Sequence, residues 1–81
     1  MVVSTDIVQA LNDRIKAADE RYGPFASTHE AMGVAMEEWD EFREAVRSNR
    51  MVLIESECLD LAAVLIRLAM DINKVADRST K

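Results

Sequence analysis

Two pairs of acidic residues have a spacing that can build a chemical site. Glu38 and Glu41 are three residues apart, and so are Glu57 and Asp60. In an α-helix, residues three apart lie on one face about one turn from each other. If two such helices pack antiparallel, four carboxylates converge, and their mutual repulsion raises their pKa values. Hard divalent cations such as Mg²⁺ prefer oxygen ligands and relieve that repulsion, so the pattern predicts a metal site formed by these four residues.

The segments that carry and precede these residues are expected to be helices. Two glycines and one proline among 81 residues favour long helices over strands and hairpins. A first helix is expected to begin at Ser4 or Thr5, which can cap it, and to end within residues 22–25, where Gly23 and Pro24 follow Tyr22. The sequence therefore predicts an all-α chain whose first helix precedes the acidic pairs.

Two further helices are expected to carry one acidic pair each. A capping box starting at Ser27 precedes a helix over about residues 28–47, and a third helix is expected over about residues 51–75. The polar break between them, residues 48–50, is short enough to join antiparallel neighbours, so the two pairs should face each other. The side chains expected to form the core share helical spacing and are Ile7, Leu11, Ile15 and Ala18 of the first helix, Val34, Ala35, Phe42, Ala45 and Val46 of the second, and Leu53, Ile54, Leu61, Val64, Leu65, Leu68 and Ile72 of the third.

Composition limits the class of protein. Residues 1–81 are enough for one small domain, and a core of this size usually needs a metal, disulfides or oligomerisation. Cys58 is the only cysteine, which excludes an internal disulfide and indicates a reducing cytoplasm. We expect no signal peptide and no membrane partner, because no long uncharged apolar run occurs. A net charge of −5 argues against a nucleic-acid polymer as partner.

The third helix is too apolar to be covered by the first two. Residues 59–70 are apolar on nearly all sides except at Asp60 and Arg67. A helix of this kind needs neighbours on more than one face. We therefore expect a homodimer or homotetramer, in which three-helix chains form an oligomeric helical bundle.

The acidic pattern resembles that of a known enzyme family. Glu37, Glu38 and Glu41 are followed, after fifteen residues, by Glu57 and Asp60. This arrangement, within residues 27–72, resembles the MazG-like nucleoside triphosphate pyrophosphohydrolases of the all-α NTP pyrophosphatase superfamily. The resemblance implies hydrolysis between the α and β phosphates, with release of pyrophosphate and a nucleoside monophosphate.

The same resemblance implies roles for individual residues. Glu38, Glu41, Glu57 and Asp60 would ligate Mg²⁺, with Mn²⁺ as a possible substitute. Glu38 would thereby also be catalytic, and Glu37 would act beside it, either by supporting the metal ligands or by orienting a water molecule. Phosphoryl transfer needs charge neutralisation and positioning more than covalent chemistry, which agrees with a site made of carboxylates and metal.

Lys74 and Arg78, four residues apart, resemble the basic pair that contacts substrate phosphates in the family. The alternative is that these two side chains only complement the negative end of the third helix.

Other interpretations stay open for the acidic pairs and for the chain as a whole. The carboxylates can be a solvated surface with incidental spacing. The whole chain can be a non-catalytic helical interaction module or a nucleotide sensor that retains the metal site. Trp39 is expected in a core or interface rather than stacked on a base, Cys58 in packing, and His29 at the surface or a cap.

Overall fold

Three helices make up nearly all of the chain in the computed structural model, which describes the backbone of residues 2–79 and the side chains of residues 2–75. They are α1 (Thr5–Tyr22), α2 (Thr28–Ser48) and α3 (Met51–Ser79). No strand occurs in the described backbone. The all-α expectation is confirmed, and α3 continues four residues beyond the end that the sequence predicted.

The caps form where the local sequence predicts them. The Ser4 hydroxyl accepts a hydrogen bond from the Ile7 N–H at 3.3 Å and starts α1. The Ser27 hydroxyl accepts from the Glu30 N–H at 3.1 Å and starts α2. The Glu30 carboxylate reaches back to the N–H of Ala26 at 3.1 Å, one residue before the usual capping-box position. The start of each of these two helices is thus set by local contacts between residues no more than four positions apart.

The breaks between helices use backbone conformations that suit their residues. Gly23 ends α1 with φ +69° and ψ −167°, a conformation open essentially to glycine alone. Asn49 ends α2 in the left-handed region, with φ +58°, which asparagine tolerates better than most residues. The chain therefore turns back sharply after α2, and α3 follows almost at once.

Helix α3 is the central element, because α1 and α2 both pack against it and leave a cleft between them. Helix α1 runs parallel to α3, since Arg14 contacts Asp60 and Asp19 contacts Arg67 further along. Helix α2 runs antiparallel to α3. This arrangement places the two acidic pairs on adjacent helices, as the short connection predicted.

The buried core of the described chain is small. The apolar side chains buried in it are Ile15, Ala31, Ala45, Leu59, Ala63 and Val64. No large side chain among the described residues is fully buried. Small residues dominate because they allow the helix backbones to approach closely, but they contribute little apolar area to stability.

Several residues that the sequence assigned to the core are exposed in the single chain. Leu65 and Ile72 of α3 are about half exposed, at 52% and 51%. Leu53 and Val46 are also exposed, and so is Cys58. The prediction of these positions as core was wrong for one chain, because α1 and α2 cover only part of the circumference of α3. Within residues 2–79, no helix combines the length and apolar character needed to cross a lipid bilayer.

Candidate functional site

Three of the four expected ligand residues converge at the α2–α3 contact. One carboxylate oxygen from each of Glu38, Glu41 and Glu57 lies within 4.8 Å of the others. Glu38 and Glu57 are partly buried and Glu41 is exposed, so the group sits at the border between the helix contact and solvent. An oxygen cluster of this size and hardness is chemically suited to a divalent cation.

Two oxygens of this cluster lack hydrogen-bond partners. Glu38 Oε2 and Glu57 Oε2 are buried, and no described donor bonds to either. Buried polar atoms are normally paired, so each orphaned oxygen carries a cost that a bound cation can offset. The donor set is therefore chemically compatible with a hard metal ion.

The electrostatic state of the cluster agrees with that geometry. Burial, followed by repulsion from Glu41, Asp60 and Glu57, raises the pKa of Glu38 from its ordinary 4.5 to about 7. Burial and the neighbouring carboxylates of Asp60 and Glu41 also raise the pKa of Glu57, against an opposing effect of the Arg14 guanidinium. Carboxyl groups with raised pKa values beside a cleft are typical of functional sites, although structural networks also produce them.

Asp60, the fourth expected ligand, is engaged by a cation from α1. Arg14 Nε donates to Asp60 Oδ1 at 2.8 Å, and Arg14 Nη2 donates to Ser56 Oγ at 3.0 Å. Asp60 still lies close enough to raise the pKa values of Glu38 and Glu57. It is therefore a neighbour of the carboxylate cluster whose second interaction is with Arg14.

Arg14 is not among the residues that the sequence predicted for the site, although it lies beside the cluster. Arg14 falls between Leu11 and Ala18 on the apolar stripe, at steps of three and four residues. A lone cation on an apolar helix face signals a buried or half-buried partner. The sequence contains that signal, but it does not show which residue of α3 is the partner.

A cleft of about 780 Å³ opens beside the cluster, between α1 and α2. One wall holds acidic side chains, including Glu37 and Glu38, and the other holds Arg14 and Arg21. The exposed Glu37 thus lies at the cleft, where a water-orienting group would have to be. Opposite charges on facing walls allow the cleft to hold a cation and a polyanion side by side.

The far end of the cleft is closed by a second ionic cluster around Arg67. Arg67 is only 5% exposed, and its Nε donates to Asp19 Oδ1 at 2.9 Å. Its Nη2 donates to the Gly23 carbonyl oxygen at 2.7 Å, and the guanidinium lies over the Phe25 ring, 4.6 Å from its centroid. These contacts fix the end of α1 against α3 and define the cleft wall.

Lys74, one member of the expected phosphate-binding pair, is remote from the cluster within one chain. Lys74 is exposed and lies roughly 21 Å further along α3 than Asp60, at 1.5 Å per residue. It is not among the residues that line the cleft. The side chain of Arg78 lies outside the described residues, so its role stays a prediction.

Two other residues that the sequence singled out do not line the cleft. His29 is exposed in the first turn of α2, as expected for a surface histidine. Trp39 is half exposed and contacts Phe42, with ring centroids 5.5 Å apart. Neither side chain lines the cleft, so neither contributes to the site in this chain.

Comparisons of the chain with models of protein families, with curated proteins and with solved structures find no match. Interpretation of the site therefore depends on its own geometry and on the spacing of its residues.

Proposed function

We propose that the chain is a Mg²⁺-dependent nucleoside triphosphate pyrophosphohydrolase of the MazG-like type, with Mn²⁺ as a possible substitute. One observation carries this proposal: Glu38, Glu41 and Glu57 converge, and two of their oxygens are buried without a hydrogen-bond partner. A cleft with arginines on its opposite wall adjoins the cluster. A metal-bound triphosphate is the common ligand class that needs both features.

In this reaction, different residues of the chain would bind the cation, position the water and attract the phosphates. Glu38, Glu41 and Glu57 would hold the cation, and Asp60 would join them by exchanging its contact with Arg14. When bound, the cation neutralises phosphate charge and assists the attack of water on the α-phosphorus. Glu37 would orient that water, and Arg14 and Arg21 would attract the phosphates to the cleft.

The basic residues of the α3 tail would act only in an assembly. Lys74 is too far from the cluster to reach it within one chain, so a phosphate role for Lys74 and Arg78 requires a second copy. We accordingly expect a homodimer or homotetramer, as the apolar character of α3 suggests, in the cytoplasm.

The test is a screen of common ribonucleoside and deoxyribonucleoside triphosphates with Mg²⁺, read by pyrophosphate release. We expect release from at least one nucleotide and its loss in Glu38→Gln and Asp60→Asn. Asp40→Asn is the matched control, because Asp40 is exposed on the same helix and its only described ion pair is with Arg43 at 3.6 Å. Release that persists in Glu38→Gln and Asp60→Asn would contradict the proposal.

A second candidate is a non-catalytic helical module, which binds a protein partner or senses nucleotides. The exposed apolar side chains on α2 and α3 favour it, because such residues commonly mark interaction surfaces. Thermal melting separates the candidates. Mg²⁺ that binds only the folded state must raise the midpoint, whereas a module without a metal site melts at the same temperature with and without Mg²⁺. A nucleotide sensor would show the metal shift without pyrophosphate release.

A further inference from the structure

The first half of α1 is attached to the rest of the chain by few contacts. Helix α1 packs on α3, and the cleft separates it from α2. Ile15 is its one buried residue. Residues 5–13 have no buried side chain, and no hydrogen bond or ion pair of theirs reaches another helix in the described part of the chain. Arg14 therefore makes the first ionic contact between α1 and α3.

The two ionic contacts that hold α1 differ in how easily they can be broken. Arg67, 5% exposed, binds the far end of α1 through the Asp19 carboxylate and the Gly23 carbonyl oxygen. The pair of Arg14 with Asp60 is more open, with side chains 31% and 38% exposed. Solvent screens an exposed pair, whereas breaking a buried one leaves an uncompensated charge. The Arg67 end is thus the fixed end of α1, and the Arg14 contact is the one that can be released.

A cation in the acidic cluster would compete with Arg14 for Asp60. The Asp60 carboxylate lies close enough to Glu38 and Glu57 to interact with their charges. A cation bound there neutralises the negative field that attracts the guanidinium and also repels the guanidinium directly. The remaining contact of Arg14 would be with the neutral hydroxyl of Ser56, 3.0 Å from Nη2. A neutral partner holds a guanidinium more weakly than a carboxylate does.

The released guanidinium would stay beside the cleft. Arg14 and Arg21 both line the cleft, and their spacing of seven residues places them on one side of α1, roughly 10 Å apart along its axis. The contacts of Arg67 keep α1 in place at its other end, so a freed Arg14 remains in the cleft wall. A guanidinium binds phosphate oxygens through two parallel hydrogen bonds. A phosphate chain between the cation and Arg14 would therefore hold the first half of α1 again.

We propose that residues 5–14 of α1 form a strap with two alternative attachments. In the metal-free chain, Arg14 holds the strap to Asp60. A divalent cation takes Asp60 and releases the strap, and the phosphates of the bound triphosphate then hold it through Arg14. Arg14 is thus a positioning residue that acts on the substrate only after the cation has bound. The strap rests on the proposed function, because its release and its second attachment need the ligands named there.

Hydrogen exchange with and without Mg²⁺ tests the release and needs no nucleotide. The amides to follow are those of residues 8–14, which are bonded within α1, beginning with the Val8 N–H on the Ser4 carbonyl oxygen at 3.0 Å. Mg²⁺ should slow exchange around Glu38 and Glu57 but speed it by about two- to fivefold in residues 8–14. General stabilisation cannot produce opposite changes in two parts of one chain. Slower exchange at the cluster, without faster exchange in residues 8–14, would overturn the strap and leave the proposed function standing.

Two substitutions on α1 separate the Arg14 contact from a general loosening of the helix. In the metal-free chain, Arg14→Met should raise exchange in residues 8–14 by about two- to fivefold, and Mg²⁺ should add no further increase. Lys16→Met is the matched control. Lys16 is an exposed cation of the same helix that does not line the cleft and has no ion pair in the described structure. This variant should exchange as the native chain does in both conditions. An increase with Mg²⁺ that survives in Arg14→Met would also overturn the proposal.

Inorganic triphosphate, added with excess Mg²⁺, tests the second attachment. Exchange in residues 8–14 should return to the metal-free rate or fall below it in the native chain, but not in Arg14→Met. Exchange that stays fast in the native chain would show that phosphates do not hold the strap and would overturn the proposal. No effect of Mg²⁺ on exchange or on the thermal midpoint would overturn both the strap and the metal site of the proposed function.

Discussion

The two ionic clusters beside the cleft satisfy their charges in opposite ways. At one end, Arg67 is almost fully buried, and a carboxylate, a carbonyl oxygen and an aromatic ring surround its guanidinium. At the other end, Glu38 and Glu57 keep buried oxygens without any described donor. The first cluster pairs its charge within one chain, whereas the second leaves two buried carboxylate oxygens without a described donor.

Under the proposed function, this contrast would separate a structural role from a functional one. Burying a charge is costly, and a fold that needs only stability offsets the cost with local partners, as around Arg67. A carboxylate cluster that stays repulsive lowers the stability of the protein, and under the proposed function a bound cation would offset that cost. Burial first, and then repulsion from Glu41, raise the pKa of Glu38 to about 7.

The largest decrease in stability is expected from a substitution that disrupts the ionic cluster around Arg67. Arg67→Ala removes two charge-assisted hydrogen bonds and the contact with Phe25, and we expect it to reduce the free energy of unfolding by about 2–4 kcal/mol. Arg67→Lys keeps the charge but loses the planar fork, so it should recover only part of the loss. Urea unfolding at matched protein concentration measures both. An Arg67→Ala protein as stable as the native one would show that the cluster does not hold α1 in place.

A change of intermediate size in the free energy of unfolding is expected from a substitution in the acidic cluster. It has the opposite sign, because this substitution should increase stability. The pKa of Glu38 is raised in the folded state, so the folded state binds more protons than the unfolded chain between about pH 4.5 and 7. Ionisation of Glu38 therefore reduces the stability of the metal-free protein as pH rises through that window, by on the order of 1–3 kcal/mol.

Glu38→Gln removes this ionisation and isolates its contribution. The variant should lose the part of the pH-dependent decrease that Glu38 causes, keep the part that Glu57 causes, and be more stable than the native chain at pH 7.5 without metal. Chemical unfolding of both proteins at pH 5 and pH 7.5, with chelator present, tests this. Equal pH dependence in the two proteins would mean that Glu38 ionises normally and that the cluster is not strained.

The smallest change in stability is expected from a substitution of Arg14. This residue lines the cleft and pairs with a neighbour of the acidic cluster. Its pair with Asp60 is about one third exposed, so Arg14→Met should cost at most about 1 kcal/mol of stability. Loss of the cation makes the cluster more negative. Metal should therefore bind more tightly, while a triphosphate should show a higher KM. Calorimetric metal titration and substrate kinetics give the two values, and weaker metal binding would contradict this account of Arg14.

Much of the fold follows from short stretches of sequence. The first two helices begin and end within a few residues of the positions predicted from Ser4, Gly23 and Ser27, and the third begins as predicted. The acidic pairs lie on adjacent antiparallel helices because the break after Ser48 is short. The dimer or tetramer, the metal and the nucleotide substrate stay predictions.

The parts that sequence did not show are those that depend on contacts between distant residues. Arg14 and Asp60 are far apart in the chain, and so are Arg67 and Asp19. The helical spacing of Arg14 within an apolar stripe, and of Arg67 within an apolar run, is a signal of a paired cation that the sequence predictions did not use. Which partner it finds depends on how far α1 is shifted along α3, and no local pattern encodes that shift.

The acidic motif is where the predicted arrangement and the observed arrangement differ most. The sequence by itself determined that Glu38 and Glu41, and Glu57 and Asp60, share faces of their helices, because helix periodicity and capping act within four residues. Only the tertiary structure decided that three of these carboxylates meet while Asp60 contacts Arg14. The rotation and offset of packed helices are set by close contacts between their surfaces, here through small residues such as Ala45 and Ala63.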